Sequence, residues 1–373
     1  MVPVNKPLLV GNESKYLQQC IETGWISSEG PFVKEFETQF SSYIGRKYGI
    51  AVANGSGALD IAVQALDIGA GDEVIMPTFT IISPAFSVVR TGGTPVLVDS
   101  DPLTWNMDVD QIERRITKKT RAILVVHLYG LPVDMDAVIS LADKYGLAII
   151  EDAAEMIGQD YKDKKCGSFG HVSVFSFYSN KHITTGEGGM ILCDDEQLSE
   201  RCKKLRNLAF EPGERRFMHF ETGWNYRMTN LQAALGVAQL EQLEQNLCRK
   251  RACGRYYQEQ LAFLPGYNYQ LPLESTSFAK NIYWVFGIIA PSETDMQKLV
   301  NHLAGKGIGT RPFFWCMHEQ PVFTKAGLFM NEKFPVAEKL ARQGFYIPGG
   351  AGIEQHDMET VTASIADFFL SNG

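Results

Sequence analysis

The sequence lacks most of what a secreted, zinc-binding or membrane-spanning protein needs. Its seven cysteines are an odd number, and no two of them form a Cys-x-x-Cys pair. This argues against a disulfide framework and a zinc site, and it fits a reducing compartment. Residues 1–7 have neither the charged start nor the apolar core of a signal peptide, and no apolar run approaches the ~18 residues that span a membrane. We therefore expect a soluble, cytoplasmic protein with no membrane partner.

Basic charge is also scarce relative to acidic charge. The 373 residues carry 35 Lys and Arg against 43 Asp and Glu, and the resulting net charge of −8 argues against general affinity for nucleic acids. Hydrophobic residues make up 45% and charged residues 21%, which are ordinary values for a folded globular chain. A chain of this length can bury a large core in one or two domains.

Strand-like and helix-like segments alternate through the first half of the chain. Strands are predicted at residues 48–53, 73–76, 95–99, 122–127, 147–150, 172–177 and 190–193. Helices are predicted between them at residues 58–66, from Ser83 onwards, and at 109–116, 135–145 and 196–208. Such an alternation predicts an α/β fold, with a mostly parallel sheet and helices on both of its faces.

The organisation changes after residue 228. Thr229 and Gln232 have the spacing of a capping box, and they begin a predicted helix that continues towards residue 261. Beyond it, the sequence predicts a strand at 283–289, a helix at 294–306, a strand at 309–314 and a helix at 358–369. We therefore predict a large domain over residues 1–228, a connecting helix over 229–264 and a smaller α+β domain over 265–373.

Lys181 stands between a predicted strand and the glycine-rich turn at residues 184–189. A lone lysine on a loop is more often solvated. Asp152, however, follows the buried strand at 147–150, so a carboxylate and a lysine come at the ends of two successive strands, where open sheets bind ligands. Burial there would lower the pKa of the lysine amine. The pair predicts a pyridoxal phosphate site, in which the lysine forms the Schiff base and the aspartate pairs with the pyridinium nitrogen.

Residues 54–57, Asn-Gly-Ser-Gly, lie between the first predicted strand and the helix that follows it. A strand, a glycine turn and a helix start leave free backbone N–H groups and the positive end of the helix dipole facing one point. Such an arrangement favours an anionic group, so the stretch is a candidate phosphate cradle.

Several motifs, taken in order, are similar to those of the DegT/StrS family of nucleotide-sugar aminotransferases. They include Trp25-Ile-Ser-Ser-x-Gly30, His127-Leu-Tyr-Gly130, Glu151-Asp-Ala-Ala-Glu155, Asn225-Tyr-Arg-Met-Thr-Asn230 and Thr310-Arg-Pro-x-Phe314. The resemblance runs from end to end of the chain. It implies the type I, aspartate aminotransferase-like fold, and an obligate homodimer with active sites at the interface. It also implies pyridoxal phosphate as cofactor and L-glutamate as amino donor.

The resemblance further implies a nucleotide-linked 4-keto-6-deoxy sugar as the amino acceptor. GDP-4-keto-6-deoxy-D-mannose, aminated at C4, is the expected substrate, and dTDP- or UDP-linked 4-keto-6-deoxy sugars or a 3-keto sugar are alternatives. The product would enter lipopolysaccharide synthesis, as part of an O-antigen.

Five residues are implied to surround the cofactor ring. Lys181 is the Schiff-base lysine, and its freed amine moves a proton from Cα of glutamate. Asp152 keeps the ring nitrogen protonated. Ala154 packs on one face of the ring and Ile81 on the other, at a position where family members usually carry an aromatic side chain. Glu155 lies near the ring hydroxyl.

The remaining implied contacts involve the phosphate and the substrate. The phosphate is expected to bind the backbone amides of Ser56 and Gly57, the hydroxyl of Ser176 and Asn225 of the partner subunit. The candidate substrate contacts are Trp25, Arg215, Arg311 and His318.

Three other interpretations of the same residues lead to different predictions. Sugar 3-dehydrases related to this family replace the lysine with histidine, whereas this chain has Lys181. A cysteine desulfurase needs a nucleophilic cysteine, and Cys316, between Trp315 and Met317, is better explained as a buried thiol. A cofactor-binding regulator without turnover is the remaining alternative. Reaction of the bound cofactor with glutamate, with release of 2-oxoglutarate, separates an enzyme from such a regulator.

Overall fold

The computed structural model describes residues 1–211 and 213–372. Its strands up to residue 193 are β1 (Tyr48–Val52), β2 (Glu73–Pro77), β3 (Thr94–Val98), β4 (Thr120–Val126), β5 (Ala148–Asp152), β6 (Asp160–Tyr161), β7 (Lys164–Lys165), β8 (Val172–Ser176) and β9 (Gly189–Cys193). Seven of them form one sheet in the order β1-β9-β8-β5-β4-β2-β3, and β6 and β7 form a separate hairpin. Strand β9 pairs antiparallel with both neighbours, and the other pairings in this sheet are parallel. The predicted mostly parallel sheet is therefore confirmed.

Helices cover both faces of this sheet, as predicted. The first helices are α1 (Glu13–Thr23), α2 (Pro31–Ile44), α3 (Gly55–Ala65), α4 (Ser83–Arg90), α5 (Met135–Tyr145) and α6 (Glu196–Arg206). One hydrophobic core contains buried residues of α3, α4 and α6, and the other contains those of α2 and α5. Adjacent strand residues alternate between the two cores, as Ile149 and Ile150 of β5 do. In the part of the chain that the structure describes, none of the helices is both long and apolar enough to cross a membrane.

The helix predicted at residues 109–116 is wrong. The segment forms two short 3-10 helices, Val109–Gln111 and Glu113–Arg115. The first begins at Asp108, whose side chain accepts the Asp110 N–H, and its backbone bonds span three residues. Ile116 is already extended, with φ −71° and ψ 130°, so the turn has no room to lengthen.

The connecting segment contains two helices instead of the one predicted. Thr229 and Gln232 make the predicted capping box and begin α7 (Asn230–Glu241). Gln242 then leaves helical geometry, with φ −101° and ψ 0°, and α8 (Leu243–Gln260) follows. The apolar pattern did not reveal this break because Leu240 and Leu243, three residues apart, pack against the same core.

The C-terminal part has a sheet and a core of its own. Its strands are β10 (Phe286–Ile289), β11 (Arg311–Pro312) and β12 (Gly344–Ile347), in the antiparallel order β10-β12-β11. Its helices are α9 (Glu293–Gly305), α10 (Pro321–Lys325), α11 (Pro335–Gln343) and α12 (Gln355–Asn372). A third hydrophobic core joins this sheet to α9, α12 and the second half of α8. The sequence did not predict β12, α10 or α11, and β10 and β11 are shorter than predicted. The domain boundaries at residues 228 and 264 stay a prediction.

Candidate active site

Three neighbouring strands of the main sheet end at one cavity of about 1040 Å³. Val126, Asp152 and Ser176, the last residues of β4, β5 and β8, all line it. Open α/β sheets bind ligands beyond these carboxyl ends. The cavity also brings together most of the predicted cofactor contacts: Ser56, Ile81, Asp152, Ala154, Glu155, Ser176 and Lys181.

Lys181 lies on the loop after β8. Its backbone N–H donates to the Tyr178 carbonyl at 3.0 Å, and its Nζ lies 4.0 Å from the centre of the Trp284 ring. Among the residues that the structure describes, none accepts a hydrogen bond from Nζ. Burial lowers the pKa of the Lys181 amine, and the carboxylates of Glu155 and Asp152 oppose this shift. The amine is therefore held in the cavity without a hydrogen-bond partner, available to a ligand.

Asp152 is 3% exposed and is poorly supplied with hydrogen bonds. In the described part of the chain its carboxylate accepts one, from the Ala154 N–H to Oδ1 at 3.1 Å. Burial raises the pKa of Asp152 to about 6, although the Ala154 amide and the Lys181 charge act in the opposite direction. A cation bound beside this carboxylate would stabilise its charged form, as a protonated ring nitrogen would.

Glu155 is held by an unusual turn. Tyr129 has a φ of 56°, in the left-handed region, and its N–H donates to Oε2 of Glu155 at 2.7 Å. The next residue, Gly130, also has a positive φ, and a Cβ atom there would lie 2.1 Å from Oδ1 of Asn281. Burial raises the pKa of Glu155 to about 8, against the influence of Lys181. The motif His127-Leu-Tyr-Gly130 therefore forms the turn that fixes this carboxyl group.

The predicted phosphate cradle lies at the N-terminus of α3. Asn54 caps this helix by accepting the Gly57 N–H at 2.8 Å, so in this structure that amide is bonded to Asn54, and the contact of Gly57 with a phosphate stays a prediction. The Oγ atoms of Ser56 and Ser83 lie 2.7 Å apart, and both residues line the cavity with Ser176. A Cβ atom at Gly57 would lie 2.8 Å from the Tyr226 ring, which explains the glycine. The remaining donors are the free helix end and three hydroxyl groups.

Six of the predicted contacts are not among the described residues that line this cavity: Trp25, Gly57, Arg215, Asn225, Arg311 and His318. Trp25, Arg215 and Asn225 are exposed on the surface, and Arg311 lines an adjoining cavity. His318 is buried, with Nδ1 2.8 Å from the Thr78 hydroxyl and Nε2 3.2 Å from Glu338. The structure therefore places His318 in the core, apart from the other predicted contacts.

An aromatic wall that the sequence did not predict closes one side of the cavity. It consists of Tyr178, Trp284, Phe314 and Tyr346, with Tyr129 behind it. Trp284 stacks on Tyr129 with ring planes 13° apart, and its Nε1–H donates to the Asn180 carbonyl at 3.0 Å. Trp284 and Tyr346 come from the C-terminal part of the chain. Trp284 is a single aromatic residue near the start of a predicted strand, and nothing in the sequence around it indicated that it would line the Lys181 cavity.

Comparison with known proteins identifies the family. Residues 8–366 match the DegT/DnrJ/EryC1/StrS aminotransferase family. The chain belongs to this family. It is therefore an aminotransferase, and its cofactor is pyridoxal phosphate. The predicted family, type I aminotransferase fold and cofactor are all confirmed.

Two curated relatives and one solved structure resemble the chain over nearly its whole length. The GDP-perosamine synthase of Escherichia coli O157:H7 is 40% identical over 368 residues, which are 99% of this chain and 98% of that protein. The GDP-perosamine synthase of Caulobacter vibrioides is 40% identical over 366 residues, 98% and 97% of the two chains. The X-ray structure of an aminotransferase from Psychrobacter cryohalolentis is 30% identical, with a TM-score of 0.91 and 99% of both chains covered.

The residues of the cavity fit pyridoxal phosphate. The free amine of Lys181 suits its carbonyl carbon, and the underbonded carboxylate of Asp152 suits its ring nitrogen. The hydroxyl groups beside the N-terminus of α3 suit its phosphate. Ile81 and Ala154 line the same cavity and are apolar, as surfaces that cover the two ring faces need to be.

Proposed function

We propose that this enzyme transfers the amino group of L-glutamate to the C4 ketone of GDP-4-keto-6-deoxy-D-mannose and forms GDP-perosamine. The observation that carries the proposal is the 40% identity, over nearly the full length of both chains, to two GDP-perosamine synthases. The Lys181 cavity supports the reaction class, since it supplies an amine, two carboxylates and a phosphate cradle. We place the enzyme in the cytoplasm, where it would supply an aminosugar for the O-antigen of lipopolysaccharide.

The residues of the cavity have different roles in the reaction. When bound, pyridoxal phosphate draws electrons from the carbon that carries the amino group, so a proton can leave that carbon. Asp152 keeps the ring nitrogen protonated, because a buried carboxylate stabilises a neighbouring cation. Lys181, whose pKa is lowered by burial, would move the proton from Cα of glutamate to the carbonyl-derived carbon of the cofactor in the first half of the reaction. In the second half it would move a proton from that carbon to C4 of the sugar. Ser56, Ser83 and Ser176 hold the phosphate.

Glu155 gives the cavity a second acid beside Lys181. Burial raises the pKa of its carboxyl group to about 8, which favours the protonated form in the cofactor-free enzyme. The Tyr129 amide fixes one oxygen and keeps the group within the cavity wall. In the bound state this carboxyl group would hydrogen-bond the ring hydroxyl of the cofactor.

We further propose a homodimer in which each subunit completes the other's site. Large apolar side chains are exposed near the predicted contacts that this chain does not bring to its own cavity. Phe217 is 74% exposed and Phe220 65%, close to Arg215 and Asn225, and Trp25 is 51% exposed. Burial of such side chains against a second copy would remove them from water. Trp25, Arg215 and Asn225 would then reach the partner's cofactor and substrate.

Mixed dimers test the shared site. Lys181→Ala and Asn225→Ala are co-expressed with different tags, and the doubly tagged dimer is purified. In this dimer one site carries both changes and the other carries neither, so each molecule should have about half of the wild-type activity. Activity no higher than that of the better single variant would show that Asn225 acts within its own chain.

A panel of ketosugars tests the substrate. Purified enzyme with cofactor and L-glutamate is given GDP-, dTDP- and UDP-linked 4-keto-6-deoxy sugars and a 3-keto sugar, and products are identified by mass spectrometry. We expect amination of the GDP-linked 4-ketosugar in preference to the others. A higher kcat/KM for a dTDP- or UDP-linked sugar would contradict the nucleotide assignment. Release of 2-oxoglutarate without any acceptor turnover would contradict the acceptor class.

A further inference from the structure

A second cavity, of about 760 Å³, adjoins the Lys181 cavity. Three parts of the chain enclose it: the N-terminal segment at Asn5, the loop before Lys181, and the C-terminal sheet at Arg311. The two cavities share four lining residues, Tyr178, Asn180, Trp284 and Tyr346. The two cavities therefore adjoin each other at these four side chains.

Arg311, at the start of β11, lines this second cavity and is exposed to solvent. Its Nη1–H donates to the Thr310 carbonyl at 3.0 Å, and no carboxylate in residues 1–211 and 213–372 forms an ion pair with it. Arg342, in the same part of the chain, is by contrast ion-paired with Glu319 and Glu338. A guanidinium group matches a carboxylate in a two-point hydrogen-bonded contact. Arg311 is free to make that contact with a ligand.

The charges of the two cavities indicate where a carboxylate of the ligand would bind. Asp152 and Glu155 line the first cavity, and the phosphate cradle lies there as well. A second anion would be repelled from this region. Among the described residues that line the two cavities, Arg311 and Lys181 are the basic ones, and Lys181 is used for the chemistry. Arg311 is therefore the basic residue of the two cavities that is left to bind a carboxylate of the ligand.

The wall opposite Arg311 is held in place by backbone contacts. The Asn5 side chain donates to the Ser179 carbonyl at 3.0 Å, on the loop that carries Lys181. The carbonyl groups of Val4 and Lys6 accept hydrogen bonds from Gly349 and Gly352, at 3.3 and 3.0 Å. The N-terminal segment thus connects the Lys181 loop to the C-terminal sheet and gives the second cavity a fixed shape.

We propose that Arg311 binds the side-chain carboxylate of the amino donor and so selects L-glutamate. The inference rests on the proposed function for the donor, and it assigns Arg311, a candidate substrate contact, to the amino donor and not to the acceptor. The α-carboxylate is attached to the reacting carbon and has to stay near Lys181 despite this repulsion. The side-chain carboxylate is two CH₂ groups further away, so it is the one that can avoid the repulsion by entering the adjoining cavity. One guanidinium group with the carboxamides of Asn5 and Asn180 suits one carboxylate. A diphosphate needs more than one positive group.

The experiment follows the reaction of the enzyme–cofactor complex with an amino donor in the absence of any sugar. Absorbance and release of the 2-oxo acid are measured against the concentration of L-glutamate and, separately, L-alanine, which lacks the side-chain carboxylate. In Arg311→Gln the half-saturating concentration of glutamate should rise by about 10- to 100-fold, the loss expected for a charge-assisted contact. The limiting rate and the response to alanine should stay within about twofold, and Arg311→Lys should recover part of the loss.

Two controls separate this role from a structural one. Arg255→Gln changes an arginine of α8 that lies on a different surface groove, and it should leave both donors unaffected. Cofactor occupancy, measured from the absorbance, should be the same in all variants. An equal loss with glutamate and alanine, or loss of cofactor, would overturn the proposal. So would a rise in KM confined to the nucleotide sugar.

The result is independent of the acceptor assignment. A wild-type enzyme that reacts with glutamate but aminates no nucleotide-linked 4-ketosugar contradicts the proposed acceptor, and the effect of Arg311→Gln on the glutamate reaction can still be read. A wild-type enzyme that does not react with glutamate contradicts both.

Discussion

Glu151 and Asp152 are adjacent on β5, both are buried, and the two faces of the strand give their carboxylates opposite surroundings. Glu151 accepts hydrogen bonds from His127, Ser173 and the backbone amides of a loop, Gly167, Phe169 and Gly170. Asp152 accepts one, from Ala154. The side of β5 that holds Glu151 is a completed polar network, and the other side is an open cavity.

The pKa values of the two carboxyl groups differ for the same reason. Burial pushes the pKa of Glu151 upwards, but His127 and the loop amides outweigh burial and hold it below its usual value. The Val133 N–H donates to Nδ1 of His127, so Nε2 carries the proton that faces Glu151. Burial of Asp152 has no such compensation, and its pKa rises to about 6. A buried carboxylate whose hydrogen bonds are complete maintains the fold, and one whose hydrogen bonds are incomplete is available to a ligand.

The largest effect that this comparison predicts is on turnover. Asp152→Asn should lower kcat by on the order of 10³-fold, about 4 kcal/mol in activation free energy, because a neutral amide does not keep the ring nitrogen protonated. The protein should fold and still bind cofactor through its phosphate cradle, as its absorbance would show. Near-normal turnover would remove Asp152 from the mechanism and make the two sides of β5 equivalent.

The matching change on the other side should affect stability. Glu151→Gln replaces a carboxylate, whose two oxygens accept several N–H and O–H groups, with an amide that has one oxygen and one NH₂ group. Breaking such a buried network should lower the free energy of unfolding by about 3–4 kcal/mol. Urea unfolding near pH 7 would measure the loss, and kcat of the folded enzyme should change little. The difference in stability between the variant and wild type should become smaller below about pH 4. The interactions that lower the pKa of Glu151 stabilise the fold only while its carboxylate is charged. A variant as stable as wild type contradicts a structural role.

In cofactor-free enzyme, Asp152→Asn should instead increase stability. The pKa of Asp152 rises from 3.8 to about 6 on folding, so the folded protein binds the proton of this carboxyl group more tightly than the unfolded chain does. The contribution of this proton to the free energy of unfolding is complete below about pH 4 and is lost as the pH rises through 6. The gain of the asparagine variant should therefore grow between pH 4 and 7, to roughly 2–3 kcal/mol. Urea unfolding across this range checks it. Glu155→Gln is the control, whose gain should extend to about pH 8.

The smallest effect concerns the open side alone. Ile81 lines the cavity and is 45% exposed, so it has room for a larger side chain. Ile81→Phe or Ile81→Tyr should raise the free-energy barrier to cofactor loss by roughly 0.5–1.5 kcal/mol if the new ring stacks on the cofactor, so the cofactor should be lost more slowly. Dialysis of the enzyme–cofactor complex gives the half-times, and Leu103→Phe, an exposed position outside the cavity, serves as the control. Unchanged or faster loss means that Ile81 does not cover the ring.

Local signals sufficed for the framework of the sheet and for the centre of the site. The apolar runs of the seven main-sheet strands, and the capping residues Asp134 and Thr229, depend on neighbours in sequence, and the structure has each of them. Lys181 and Asp152 follow strands that such runs define, and parallel strands bring their carboxyl ends to one edge. The break at Gln242 and the short β12 lacked such signals, because packing against distant residues decides both.

The sequence by itself determined the βα order, the glycine turn before α3, and the positions of Lys181 and Asp152 at strand ends, since each depends on residues within a few positions. Only the tertiary structure decided which of the two adjacent carboxylates is fully hydrogen-bonded and which is left available to a ligand. It also decided that Gly57 has no free amide, that His318 lies in the core, and that Trp284, Tyr346 and Arg311 reach the cavities from the C-terminal sheet. The hydrogen-bond partners and the burial of a group depend on residues far apart in the chain, so a local sequence pattern does not predict them.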